Sequence, residues 1–264
     1  MVFLVTLTTQ TLFDPFHCVN ARNTLSKRRH LPGITGAVCA IVFTLLIPIR
    51  SIAAMKVINR GIPGQTTAEI DERTETELNS YSPDVVVLFA GMNDAVNNRK
   101  FLSPASSHAH LESVIRKCRQ HGSRVVLVTV HQPDTIRLMQ RHKSEAYGGH
   151  PPEQRIRELN AEILSVAAQN HLPVVDFASL LKEHGGATTE WSTDGVHLTA
   201  KGYALLAHAV FEQLRRMEDL QTVLCLGDSL TYGIGVRKLE APENSETYPS
   251  KLSSLIATTG RSRT

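Results

Sequence analysis

The segment Gly227-Asp228-Ser229-Leu230 sets a serine in a glycine-bounded turn directly after the apolar run Thr222–Leu226. A hydroxyl delivered at the tip of a strand suits a nucleophile, but a free serine is too weakly acidic to attack a carbonyl without a base. His197 is the candidate base, because an imidazole titrates near neutrality and can both take and return a proton. Asp194 stands three residues earlier. From there its carboxylate can accept from the other ring nitrogen, setting the tautomer and stabilising the imidazolium. Plainer readings exist for each residue alone: a helix cap before Leu198 for Asp194, and a surface histidine for His197. Gly61, Gly64 and Asn93 complete the set of residues at strand ends. Gly61 reads as an ordinary turn glycine, and Asn93 alone reads as a turn residue capping the next segment.

The elements that would position these groups alternate along the chain from Lys56 onward. Val57–Asn59, Asp84–Phe89, Arg124–Val130, Pro173–Phe177 and Thr222–Leu226 read as strands. Between and after them, Thr67–Asn79, Ser107–His121, Pro152–Asn170, Thr199–Arg216 and Tyr248–Ile256 read as helices, one with a proline near its start. Apolar strands without strict alternation, separated by helices, indicate a parallel sheet covered on both faces. The expected fold class is therefore α/β, a three-layer α/β/α sandwich on five parallel strands. Ligands in such folds bind beyond the carboxyl ends of the strands, which is where Gly61, Gly64, Asn93 and Ser229 fall.

Four short blocks together resemble the SGNH (GDSL) hydrolase superfamily. They are Gly227-Asp228-Ser229-Leu230-Thr231-Tyr232-Gly233, Asn59-Arg60-Gly61-Ile62-Pro63-Gly64-Gln65-Thr66, Gly91-Met92-Asn93-Asp94 and Asp194-Gly195-Val196-His197-Leu198-Thr199. The resemblance covers most of residues 56–258 and implies a flavodoxin-like fold. It also implies a serine ester hydrolase of the esterase, lipase or lysophospholipase kind, working through an acyl-serine intermediate. By the same resemblance Ser229, His197 and Asp194 are the catalytic residues. The Ser229 N–H, the Gly64 N–H and the Asn93 amide are the oxyanion donors. Glycine at 64 permits positive φ and a close backbone approach. Removing a side-chain donor such as Asn93 costs about 10²–10³ in rate. Asp228 and Asp94 are expected to brace their turns rather than to react.

The order of the blocks departs from the family, where the serine block comes first. Here it comes last, so the domain is expected to be circularly permuted. The helix from Thr199 runs away from the active edge, and Met217–Gln221 is an ordinary connection back to the final strand. The displaced break then lies between Thr264 and Lys56, which become neighbours, and Met217 looks like the start of an unpermuted relative.

An acyltransferase using the same serine and a non-catalytic permuted binding module are the competing readings. Gly233-Ile234-Gly235 is followed by no glycine at the offset a dinucleotide turn requires, and there is no phosphate loop. No cofactor and no metal are called for: His108 and His110 lack a third ligand at a recognisable offset. Cys18, Cys39, Cys118 and Cys225 show neither metal nor disulfide spacing, and Cys225 reads as a small buried hydrophobe. The expected partner is a small-molecule ester, with pockets shaped by residues 132–151 and 231–246.

The 264 residues carry a net charge of +3, unevenly spread. Residues 1–55 hold five Arg/Lys against Asp14, giving +4, so the remainder totals −1 and has no nucleic-acid signature. Uncharged residues 31–49 follow Lys27-Arg28-Arg29 and resemble the apolar part of a signal peptide. They could also just span a bilayer of ~30 Å. Residues 1–55 thus read as a leader or extension before a 56–264 hydrolase-like domain. The protein is exported or membrane-associated through 31–49 if that segment is a signal or anchor, and cytoplasmic if the working chain starts near Met55.

Overall fold

The computed structural model describes residues 55–261, which belong to one compact unit. The apolar segment 31–49 and the rest of the expected leader up to residue 54 lie outside the described residues. Among the described residues no helix is long and apolar enough to cross a membrane.

Five strands form one sheet: β1 (Lys56–Gly61), β2 (Val85–Phe89), β3 (Arg124–Val128), β4 (Val174–Val175) and β5 (Thr222–Gly227). All neighbours are parallel, in the order β1-β5-β2-β3-β4. The chain's last strand therefore lies inside the sheet, between its first two. Its residues Val223–Gly227 and all of β2 are buried, as strands covered on both faces must be. Helices α1 (Thr67–Tyr81), α3 (Pro104–Gln120) and α5 (Pro152–Gln169) pack side by side. A second group comprises α6 (Phe177–Glu183) and α7 (Ala200–Leu214), with α9 (Tyr248–Arg261) packed on α7 and β1. Short helices α2 (Met92–Val96), α4 (Thr135–Leu138) and α8 (Ser229–Tyr232) sit at or near strand ends.

The long helices start where local chemistry tells them to. Thr66 and Glu69 form a reciprocal capping box at α1, and Ser103 caps α3 with Pro104 in its first turn. Thr199 caps α7 by accepting from Gly202 N, so that helix is capped by Thr199 and not by Asp194. β3 stops two residues short of the expected Val130, and β4 is much shorter than its apolar run suggests. The run Pro173–Phe177 pairs only at Val174 and Val175, because Asp176 accepts from Ser179 N and caps α6. The Asp176 carboxylate also accepts from Thr129, tying that cap to the end of β3. A side chain that competes for the backbone ends the strand, and Phe177 becomes the first residue of a helix.

Candidate active site

The register of the sheet brings the sequence blocks together. Gly227 of β5 pairs with Gly61 of β1 on one side and with Phe89 of β2 on the other. Three loops therefore leave the sheet side by side, carrying Gly64, Ser229 and Asn93. Arg73 of α1 reaches over this edge and donates to the carbonyls of Arg60 and Gly227, at 2.9 and 3.0 Å.

Gly61 is not an ordinary turn glycine. It ends β1, and a Cβ there would lie 2.0 Å from the backbone N of Tyr232 and 2.6 Å from Tyr232 Cα. The missing side chain is what lets the turn that carries Ser229 sit against β1. Gly227 plays the same part on the other flank, where a Cβ would fall 2.1 Å from the Phe89 carbonyl oxygen.

Ser229 opens α8, and its Oγ lies 3.0 Å from His197 Nε2. On the other side of the ring, His197 Nδ1 lies 2.7 Å from Asp194 Oδ2. The loop that holds this pair is tightly closed. Asp194 Oδ1 accepts from the N–H groups of Val196 and His197 at 2.9 and 2.7 Å. The His197 carbonyl accepts from Thr193 N and from Ser192 Oγ. His131, three residues past the end of β3, donates from Nε2 to the Val196 carbonyl. Burial pushes the His131 pKa down to about 4, so this support stays neutral and keeps donating.

Asp194 has a second partner that the sequence did not reveal. Arg141 donates from one guanidinium nitrogen to Asp194 Oδ2 and from another to the Asp194 carbonyl. Burial raises the Asp194 carboxyl, but the hydrogen bonds from His197 and Arg141 outweigh it and hold the group well below the usual carboxylate range. An ionised carboxylate can only accept, so the proton on His197 belongs to Nδ1. Nε2 then faces the Ser229 hydroxyl with a lone pair.

The other residues fall around the serine in distinct ways. Asn93 lines the same cleft as Ser229 and His197, a cavity of about 500 Å³. Its Nδ2 donates to the Gln65 carbonyl at 3.0 Å and makes a long 3.4 Å contact to Asp228 Oδ2. Gly64 does not line that cleft; it sits beside it with φ +80°, a conformation glycine tolerates. Its carbonyl accepts from Lys100, whose ammonium is in turn paired with Glu69. Asp94 is buried and accepts from Thr67 N and from the hydroxyls of Thr67 and Ser107, which ties the Asn93 turn to α1 and α3. Asp228 caps α8 through Leu230 N.

Burial, aided by the nearby Asp94 charge, pushes the Asp228 pKa up to about 7 against the pull of the Leu230 N–H. A carboxyl whose folded pKa exceeds its ordinary value of 3.8 keeps its proton better in the native state. Stability from this group is therefore full below about pH 4 and falls as pH rises towards about 7. Asp228→Asn removes that dependence. Its Tm relative to the parent is expected to climb between about pH 4.5 and 7.5 in thermal melts; a flat difference across that range would contradict it.

His108 and His110 do not converge. His108 pairs with Glu162 and His110 with Asp71, and no group of three or more His, Cys, Asp or Glu among the described residues is placed to hold a metal. Cys118 and Cys225 are buried free thiols, with burial pushing each pKa up to about 12.

Over 179 residues the chain is 26% identical to an acetylxylan esterase of Geobacillus stearothermophilus, spanning 66% of this chain and 79% of that protein. It is 28% identical over 160 residues to the esterase TesA of Pseudomonas aeruginosa, spanning 61% and 70%. A crystal structure of a lipase/acylhydrolase from Enterococcus faecalis superposes with a TM-score of 0.50 at 30% identity, covering 59% of this chain and 73% of that one. The model of the GDSL-like lipase/acylhydrolase family matches residues 49–205, more than half the sequence. The chain thus belongs to the GDSL-like lipase/acylhydrolase family and is a carboxylic ester hydrolase.

Proposed function

We propose that the protein hydrolyses small-molecule esters in two steps, with Ser229 as nucleophile, His197 as general base and acid, and Asp194 as the group that orients and stabilises the imidazole. The observation that carries this is the unbroken line Asp194 Oδ2, His197 Nδ1, His197 Nε2, Ser229 Oγ, with contacts of 2.7 and 3.0 Å. In the first step the hydroxyl proton passes to Nε2 as Oγ bonds to the acyl carbon. The protonated ring then gives that proton to the leaving alcohol, so an acyl-serine and a free alcohol result. Water repeats the sequence, losing its proton to Nε2, and the acid leaves as Ser229 is restored.

The negative oxygen formed in each step needs donors already in place. The backbone N–H groups of Ser229 and Gly64 have no partner among the described residues. Asn93 Nδ2 carries two hydrogens, one committed to Gln65 and the other only to the long Asp228 contact. These three groups form the oxyanion site in this reading.

We also read the domain as circularly permuted. Counting β5 first turns the strand order into 2-1-3-4-5, the doubly-wound order of flavodoxin-like folds, with the active loops at its switch point. Helix α9, which follows β5, packs against β1 as a crossover between those two strands would. The family match over residues 49–205 also ends before the serine block, as expected when a linear pattern meets a rearranged one. The test is covalent. A fluorophosphonate probe, with mass analysis of the labelled peptide, is expected to mark Ser229. It should do so in the chain as it stands and in a version with residues 217–264 moved ahead of residue 56. A label elsewhere ends the nucleophile assignment, and loss of the label in the reordered version alone ends the permutation reading.

A further inference from the structure

The cleft at Ser229 and His197 is unbalanced in charge. Arg99, Arg141 and Lys143 line it, and no aspartate or glutamate does. This is a local excess, because residues 56–264 together sum to −1. Several basic side chains elsewhere face an acid: Lys100 pairs with Glu69, Lys117 with Asp71 and Arg137 with Asp134. Within the cleft Arg141 is already committed to Asp194. Arg99 and Lys143 are exposed and have no ion-pair partner among the described residues. They come from different loops, one after α2 and one after α4, yet converge on the cavity that contains the nucleophile. Their neighbour His142 registers the field: burial first, then the charges of Arg141 and Arg99, lower its pKa.

We propose that the ester substrate carries a second, anionic oxygen group, a carboxylate or a phosphate, which Arg99 and Lys143 hold at the mouth of this cleft. The inference rests on the ester-hydrolase reading and narrows its substrate class. Chemistry favours it on two counts. A guanidinium offers a fork of donors that matches such groups, and an ammonium adds a compact charge. Because both side chains are exposed, each contact is worth little by itself and is weakened by salt, so the effect is a preference rather than an absolute requirement.

Two matched pairs of esters read the preference and its source. An acyl-side anion is tested with 4-nitrophenyl hemiglutarate against 4-nitrophenyl valerate. An alcohol-side anion is tested with 2-acetoxyethyl phosphate against 2-acetoxyethyl methyl ether, followed by acetate release. In at least one pair kcat/KM for the charged member, corrected for spontaneous hydrolysis, is expected to exceed the neutral one about fivefold or more at low salt. That ratio should collapse to about 1 in Arg99→Gln/Lys143→Gln and shrink in the parent as salt is raised. The pair that shows it assigns the anion to its side of the ester bond. Titration with the 4-nitroanilides of glutaric and valeric acid reads acyl-side binding without ester turnover. A chain that hydrolyses no ester but binds the charged anilide more tightly would sink the hydrolase reading and leave the anion site standing. No preference for the charged member in any pair, or a preference that survives the double substitution, overturns the proposal.

Discussion

Ser229→Ala is expected to lower kcat/KM for 4-nitrophenyl acetate by about 10⁴–10⁶ while leaving the melting temperature almost unchanged. The catalytic loss follows from the proton path. His197 Nε2 has Ser229 Oγ as its hydrogen-bond partner, and without that hydroxyl no acyl-enzyme can form. The residual rate would come from the oxyanion donors acting on water. The fold should be indifferent because, among the described residues, the Ser229 side chain makes that one hydrogen bond, and it is to the His197 ring rather than to the turn. The turn itself is held by the Asp228 cap, by the Tyr232 N–H donating to the Asp228 carbonyl, and by the Gly233 N–H donating to the Ser229 carbonyl. Activity within about tenfold of the parent would remove Ser229 from the mechanism. A collapse of the melt would show that the loss of rate reports folding instead.

Gly61→Ala should produce the second large effect, and by a different route. The added methyl would sit 2.0 Å from Tyr232 N and 2.6 Å from Thr231 C, both backbone atoms that cannot swing aside. Either β1 or the α8 turn must move. Overpacking of this kind typically costs about 1–3 kcal/mol, and a displacement of order 1 Å between nucleophile and base can cost about 10² in rate. Gly61→Ala should therefore lose several degrees in Tm and about 10²-fold in kcat/KM together. Gly64→Ala is the informative contrast. Its Cβ meets nothing within 4 Å, so its penalty is confined to the positive φ of +80°. If Gly61→Ala proved milder than Gly64→Ala in both measurements, the close approach of α8 to β1 would not be what places Ser229.

Much of the fold was legible because its signals are local. A run such as Val85–Phe89 has no polar alternation and so reads as a strand buried on both faces, whatever surrounds it. Thr66 with Glu69, and Thr199, are start signals that act within one helical turn; Ser103 with Pro104 is another, and it opens α3 three residues before the expected Ser107. Short helices were not legible. Met92–Val96, Thr135–Leu138 and Ser229–Tyr232 are too brief to show a period and exist because the sheet edge and their caps hold them. β4 ends earlier than its apolar run predicts for a related reason: Val174-Val175-Asp176-Phe177 is apolar enough for a strand until Asp176 finds Thr129 and Ser179.

The amino-acid order alone settled the alternation of strands and helices, the parallel sheet, and the residue types that could form a serine, histidine and carboxylate relay. These depend on hydrophobic pattern and on short spacings, such as the three residues between Asp194 and His197. What only the folded chain decided is everything that crosses long separations. Sheet register put a strand near the end of the chain between the first two and brought Ser229 to His197. Packing turned Gly61 from a presumed turn residue into a point of backbone contact. Arg141 reached Asp194 from 53 residues away, and Arg99 and Lys143 met at one cleft. Contacts of that kind depend on which loops the sheet sets side by side, and no local pattern encodes that.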